Sequence, residues 1–237
     1  MRGRIEKILG WAKANKYRHG ENPARWRDNL DQLLPKLSEV HKVKHHPALS
    51  YAELPAFMEK LRQVEGTAAR ALEFAILTAA RTEEVILARP AEINKREKLW
   101  TVPAERMKLK REHLVPLCNR AMQLLDSASG SYLFPSPFHP DKHLSNMAML
   151  MVLERMGYGH VTVHGFRSTF KDWCRDCTRF ENYVSEAALA HASGDKIEAA
   201  YGRSAVLEKR RKLVDAWAAF CRKPMSAGEV VPLRTAL

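Results

Sequence analysis

Apolar residues recur along most of this chain at intervals of three and four, the period of an amphipathic helix. Ile5, Ile8, Leu9 and Ala12 share one face of residues 4–17, and a second short helix is expected between Pro23 and Pro35. Residues 38–50 carry no apolar period and read as a linker. Ser50 followed by Glu53 has the spacing of a capping box, which predicts a helix start. Residues 67–80 are strongly apolar and helical, as befits a buried central helix. Residues 98–117 change the period: Trp100, Val102 and Val115 are strand formers on either side of a basic turn, so two short strands are expected there. Further helices are expected near 118–127, 145–157, 164–177, 183–191 and 204–222, with Ser145 and Ser204 as N-caps. The closing stretch from Pro224 holds Pro and Gly breakers and reads as a tail. The fold class implied is mainly α with a small antiparallel β-sheet, an α+β domain.

Composition narrows the partner. The 237 residues are 46% hydrophobic, enough for a sizeable core. Lys and Arg outnumber Asp and Glu by 39 to 27, a formal charge of +12, which points to a polyanion, most simply nucleic acid. An anionic membrane surface is the rival, but the chain shows no long apolar span and no signal peptide. A cytoplasmic, nucleic-acid-binding protein without a membrane span is the expectation. The four cysteines do not form a disulfide framework in a chain of this size. Cys174 and Cys177 form a CxxC, yet two ligands fall short of the four that zinc wants, so reduced structural thiols are expected. His41, His45 and His46 have no acidic or cysteine ligand nearby, and a basic linker crossing a phosphate backbone explains them better than a metal.

Five places carry candidate chemistry. In 161–173, "VTVHGFRSTFKDW", Phe166, Phe170, Trp173 and Cys174 fall on one helical stripe, and His164, Arg167 and Lys171 on another. A solvated basic face is the plain account, but His164 and Arg167 are placed to donate to one phosphate, Arg through a planar fork. Arg81 ends the most apolar helix, where a charge is costly without a partner. Either Glu84, three residues on, holds it in a structural pair or Arg81 is held out for an anion, and both hold together if Glu84 fixes the guanidinium. Lys108 and Lys110 lie near the tip of the expected hairpin. His191 ends one helix, and Tyr201 follows amid positive charge from Arg203 and residues 208–212.

An Arg, a hairpin Lys, a His-x-x-Arg, a His and a Tyr in this order resemble the catalytic set of the tyrosine recombinases, or phage-type integrases. Within that family the chain is most similar to prophage and genomic-island integrases. The local matches are "RMK" eight residues before the Pro of "HLVPL", then "HGFRSTF", "EAALAH", "EAAYGRS" and "EKRRKLVDAWAAFC". The chain departs from the family at Glu83, where Gly is usual, and at Pro90, where Trp is common.

The resemblance implies a catalytic set of Arg81, Lys108, His164, Arg167, His191 and Tyr201. Tyr201 is the implied nucleophile, and Arg81 and Arg167 would clamp the scissile phosphate. Lys108 would protonate the leaving oxygen, His164 would act as acid and base for Tyr201, and His191 would position the phosphate. Lys42, Lys44, Lys110, Arg111, Lys171, Arg203, Arg210 and Arg211 are the expected DNA contacts. No metal or other cofactor is implied. Double-stranded DNA is the implied partner, with a homotetramer assembling on it. Residues 1–37 would be the end of a helical core DNA-binding domain truncated at its N-terminus. Residues 38–49 would be the linker, 50–222 the catalytic domain and 223–237 the tail. Two other readings fit the same residues: a DNA-binding remnant without catalysis, and a type IB topoisomerase that cuts and reseals.

Overall fold

A computed structural model describes residues 1–35, 47–126, 130–191 and 202–223. The chain divides into two compact units, Met1–His45 and His46–Leu237. In the first, helix α1 spans Arg2–Ala14, close to the expectation. Its apolar stripe is not buried within the unit: Ile5 and Ile8 are exposed, and Leu9 and Ala12 are only partly covered. The expected helix between Pro23 and Pro35 is only a 3-10 turn at Leu30–Gln32. The preceding segment is committed elsewhere, because Asn22 Nδ2 donates to Glu6 O and Arg2 Nη1 to Ala24 O.

The second unit is built around one helix. After the helix α2 (Leu54–Arg62), helix α3 (Thr67–Thr78) buries nine of its residues, from Ala69 to Thr78. Such an all-round burial needs neighbours on every side. They are α2, α5 (Asn119–Leu125), α6 (Ala148–Arg155) and α9 (Arg203–Phe220). Glu73 lies in that apolar helix at 2% exposure, and such a charge needs partners. Arg62 of α2 and Arg120 of α5 supply them at 2.8–2.9 Å, tying three helices together. Trp217 of α9 donates through Nε1 to Ile76 O and stacks among Phe170, Trp173 and Phe220.

The two expected strands are β2 (Leu99–Val102) and β3 (His113–Pro116), antiparallel with Trp100 opposite Val115. A third, β1 (Ile93–Asn94), adds to the other edge of β2. Two residues are too few for a period to register in the sequence. Ser50 does cap its turn, accepting from Ala52 N, but that turn is a 3-10 segment ahead of α2. Ser145 and Ser204 are not N-caps: those positions belong to Met147 and Gly202.

Helices α4 (Thr82–Ile86), α7 (Gly165–Cys177) and α8 (Asn182–Ala188) complete the unit. The apolar stripe of α7 is buried as expected at Phe166, Phe170, Trp173 and Cys174. Gly165 opens that helix because nothing larger fits, since a Cβ there would lie 2.2 Å from Pro47 O. Cys118, Cys174 and Cys221 are buried free thiols and Cys177 is an exposed one. Among the described residues, no helix is long and apolar enough to cross a membrane. The histidines of the linker and the tail from Pro224 lie outside the described residues.

Candidate active site

Two left-handed corners build the centre of the site. Helix α3 stops at Ala79, whose φ is +50°, and α8 stops ahead of Ala190, whose φ is +49°. The second corner is a Schellman motif: His191 N donates to Glu186 O and Ala190 N to Ala187 O. Alanine pays a steric penalty in this conformation that glycine avoids, roughly 1 kcal/mol. Each corner turns a backbone carbonyl inward. Arg167 donates to both, to Ala79 O and, at 2.7 Å, to Leu189 O. Arg81 reaches the same Leu189 O at 3.4 Å.

Arg81 is the N-cap of α4 and is held from below by Glu84. One carboxylate oxygen accepts Arg81 Nη1 at 2.6 Å and the other accepts the Arg81 backbone N–H at 2.8 Å. Glu84 is thus paired with Arg81, as its spacing allows, and it is itself buried. Arg167 differs from the expectation of an outward cationic face, because it is 6% exposed. Burial pulls its guanidinium down to about 10, the like charge of Arg81 adds to this, and Glu84 opposes it. Two guanidinium groups thus share one nearby carboxylate, an arrangement that an incoming anion would balance.

A cleft of about 700 Å³ opens beside Arg81, and Lys108, Lys110 and His164 line it too. Lys108 is exposed on the turn between β2 and β3, and His164 is the exposed N-cap of α7. Glu83 and Glu105 also face the cleft. Lys110 occupies a left-handed turn position, and its ammonium donates to Glu105 O. Arg111 is exposed on the same turn. His191, two residues past Leu189, keeps its ring partly exposed with Nδ1 against Glu186 Oε2 at 2.8 Å.

Several expected DNA contacts are placed otherwise. Lys171 directs its three donors to groups of its own chain, Asn182 Oδ1, Ser185 Oγ and Glu186 Oε1. Arg210 is 3% exposed and donates to Leu114 O on β3 and towards His113 Nε2. Arg210 is a structural rather than a surface cation, because it sits where β3 and α9 meet, while Lys171 stays a quarter exposed between α7 and α8. Arg211 donates to Glu97 O and Glu208, in a separate cleft shared with Lys98, Arg120 and Arg222. Tyr201, Lys42 and Lys44 lie outside the described residues, and Arg203 is described only as the first residue of α9.

The sequence reading missed His113, which is buried between β3 and α9. Burial holds its imidazole well below the ordinary value, and Arg210, Arg167 and Arg81 push the same way. Its lone position in a basic stretch offered no periodic signal, and the Ala79 and Leu189 carbonyls had none either, since they act through backbone.

Residues 48–201 match the phage integrase family. The chain belongs to that family. It is 36% identical over 181 residues to the prophage integrase IntZ of Escherichia coli (strain K12), covering 73% of this chain and 44% of that protein. It is 30% identical over 241 residues to the integrase of Enterobacteria phage P4, covering 92% of this chain and 53% of that protein. The chain therefore spans about half the length of these integrase relatives. Among solved structures, the integrase from mycobacterium phage Brujita superposes with a TM-score of 0.58 at 16% identity, over 97% of this chain and 72% of that one. A lambda integrase (75-356) dimer bound to a COC′ core site gives 0.58 at 14% identity, over 81% and 70%. These likenesses establish the tyrosine recombinase catalytic fold, mainly helical with a small antiparallel sheet.

Proposed function

We propose that this chain is a site-specific DNA recombinase that cuts and rejoins double-stranded DNA through a 3′-phosphotyrosine. The observation that carries the reading is the pair of guanidinium groups, Arg81 and Arg167, set on one carbonyl beside a cleft that also holds Lys108 and His164. Two prepositioned forks match the non-bridging oxygens of one phosphate, and donors set where charge develops are worth about 3 kcal/mol each. Tyr201 Oη attacks phosphorus as His164 takes its proton. A phosphorus–oxygen bond to Tyr201 forms while the bond to O5′ breaks, and Lys108 gives O5′ its proton. The phosphotyrosine conserves the bond energy, so a second 5′-hydroxyl can reseal the strand. His191 steadies the phosphate. Residues 50–222 are the catalytic domain in this reading, and no cofactor enters the scheme.

Lys42, Lys44, Lys110, Arg111, Arg203 and Arg211 are proposed backbone contacts, which makes binding salt-dependent. Lambda integrase has been solved as a tetramer bound to a Holliday junction, and assembly of four copies on DNA is proposed here by likeness. The test is a covalent-trapping assay on nicked duplexes from the ends of the element that encodes the chain. A denaturing gel should show a protein–DNA adduct that Tyr201→Phe abolishes. Salt-sensitive binding with no adduct would instead establish a DNA-binding remnant. An adduct with resealing but no strand exchange would establish topoisomerase-like action.

A further inference from the structure

Glu186 holds His191 twice. Its backbone carbonyl accepts the His191 N–H at 3.0 Å, and its carboxylate meets Nδ1 of the same residue at 2.8 Å. The other carboxylate oxygen is fixed by Lys171 Nζ at 2.5 Å. Lys171 is itself pinned, because its remaining donors go to Asn182 Oδ1 and Ser185 Oγ at 2.6 and 2.7 Å. The result is a chain from α7 through a partly buried carboxylate to an imidazole that stays partly exposed. Lys171 lies one helical turn beyond Arg167, so the same helix that seats the arginine also anchors this carboxylate.

A carboxylate only accepts, so the ring nitrogen facing it carries the hydrogen. The neutral ring must then be the Nδ1–H tautomer, which leaves Nε2, across the ring from Glu186, as the acceptor. On protonation Nε2 gains a hydrogen and donates along the same direction, and the ring does not need to turn. We propose that Glu186, backed by Lys171, is a positioning residue that fixes the tautomer and direction of His191, so that Nε2 is the atom presented to the scissile phosphate. The catalytic half of the proposal rests on the recombinase reading above, and the tautomer half does not.

Two measurements on the full 237-residue chain test it. The first is imidazole nitrogen NMR, with the His191 signal assigned by its loss in His191→Ala. Neutral His191 should be the Nδ1–H tautomer in the native chain and move to mainly Nε2–H in Glu186→Ala. Persistence of Nδ1–H in that variant would overturn the proposal. The second is single-turnover cleavage of the nicked duplex by the native chain, Glu186→Ala, Glu186→Gln, His191→Ala and the double Ala variant. Glu186→Ala should slow cleavage about 10- to 100-fold, by analogy with the partners that orient metal-ligating histidines. DNA affinity should stay within about twofold, and Glu186→Gln, which keeps an acceptor of the same shape, should recover part of the rate. In the His191→Ala background, removal of Glu186 should cost nothing further. An equal loss in both backgrounds would mean that Glu186 acts elsewhere, and would overturn the proposal. If the native chain forms no adduct, the recombinase reading and the catalytic half fall together, while the NMR result still decides whether Glu186 sets the ring.

Discussion

The arginine seat, which reaches the cleft through Arg81, and the lysine turn, which reaches it through Lys108, are built in opposite ways. Arg81 and Arg167 are gripped by Glu84, Ala79 O and Leu189 O, beneath or beside a packed core. Lys108 stands exposed on a turn between two strands. Groups that stabilise charge gain most from fixed geometry, because reorganisation then costs nothing at the moment of reaction. A proton donor must meet an oxygen that moves away as its bond breaks, and a long side chain on a surface turn can follow it. Damage to the seat should therefore show in both stability and rate, and damage to the turn in rate alone.

The largest effect should come from Arg167→Lys. An ammonium cannot span both carbonyls and a phosphate, so cleavage should fall about 100- to 1000-fold. Unfolding should also become easier by about 2 kcal/mol, because buried acceptors lose their partner. Urea titration beside the covalent-trapping assay reads both, and a full-rate variant would break the comparison at its centre. Lys108→Ala should lose a comparable share of rate with stability unchanged to within about 0.5 kcal/mol. A substrate with sulfur in place of O5′, whose leaving group departs without a proton, should restore that variant and not Arg167→Lys. Equal rescue of both would erase the division of labour.

A smaller effect follows from His113. Its folded-state pKa lies below its unfolded one, so the unfolded chain binds the extra proton as pH falls. Stability should be fully present above the ordinary value of 6.5 and decline below it, and His113→Asn should flatten that limb in thermal melts taken from pH 7.5 to 5. The smallest effect should come from Ala190→Gly, which removes a left-handed alanine. It should stabilise the chain by about 1 kcal/mol without altering the rate. A loss of rate would mean that the corner needs its stiffness.

Much of this was legible before any coordinates. The stripe of α7, the central helix, the β2–β3 pair and the Arg81–Glu84 spacing all follow from period and position, because their signals are local. What could not be read was the destination of each cation. Lys171 and Arg167 lie on the same stretch of helix as His164, yet two of the three turn inward onto α8 and the corners. Arg210, in the run of charges after Tyr201, is buried against β3 while Arg211 beside it is half-exposed. Those outcomes depend on carbonyls and carboxylates distant in sequence, which no short motif announces. The two-residue strand β1 and the 3-10 turn at Leu30–Gln32 escaped for the opposite reason, being too short to carry a pattern.

Gly165 has a mechanical meaning beyond its fit. Pro47 O accepts from both the backbone and the hydroxyl of Thr162, and Thr169 Oγ1 donates to Leu49 O. The first strand of chain to enter the second unit is thus stitched along the opening turns of α7, with Gly165 letting the two backbones touch. The turn bearing His164 and Arg167 therefore cannot shift on its own: Pro47 and Leu49 must move with it, so one side wall of the site is anchored by chain more than a hundred residues away in sequence.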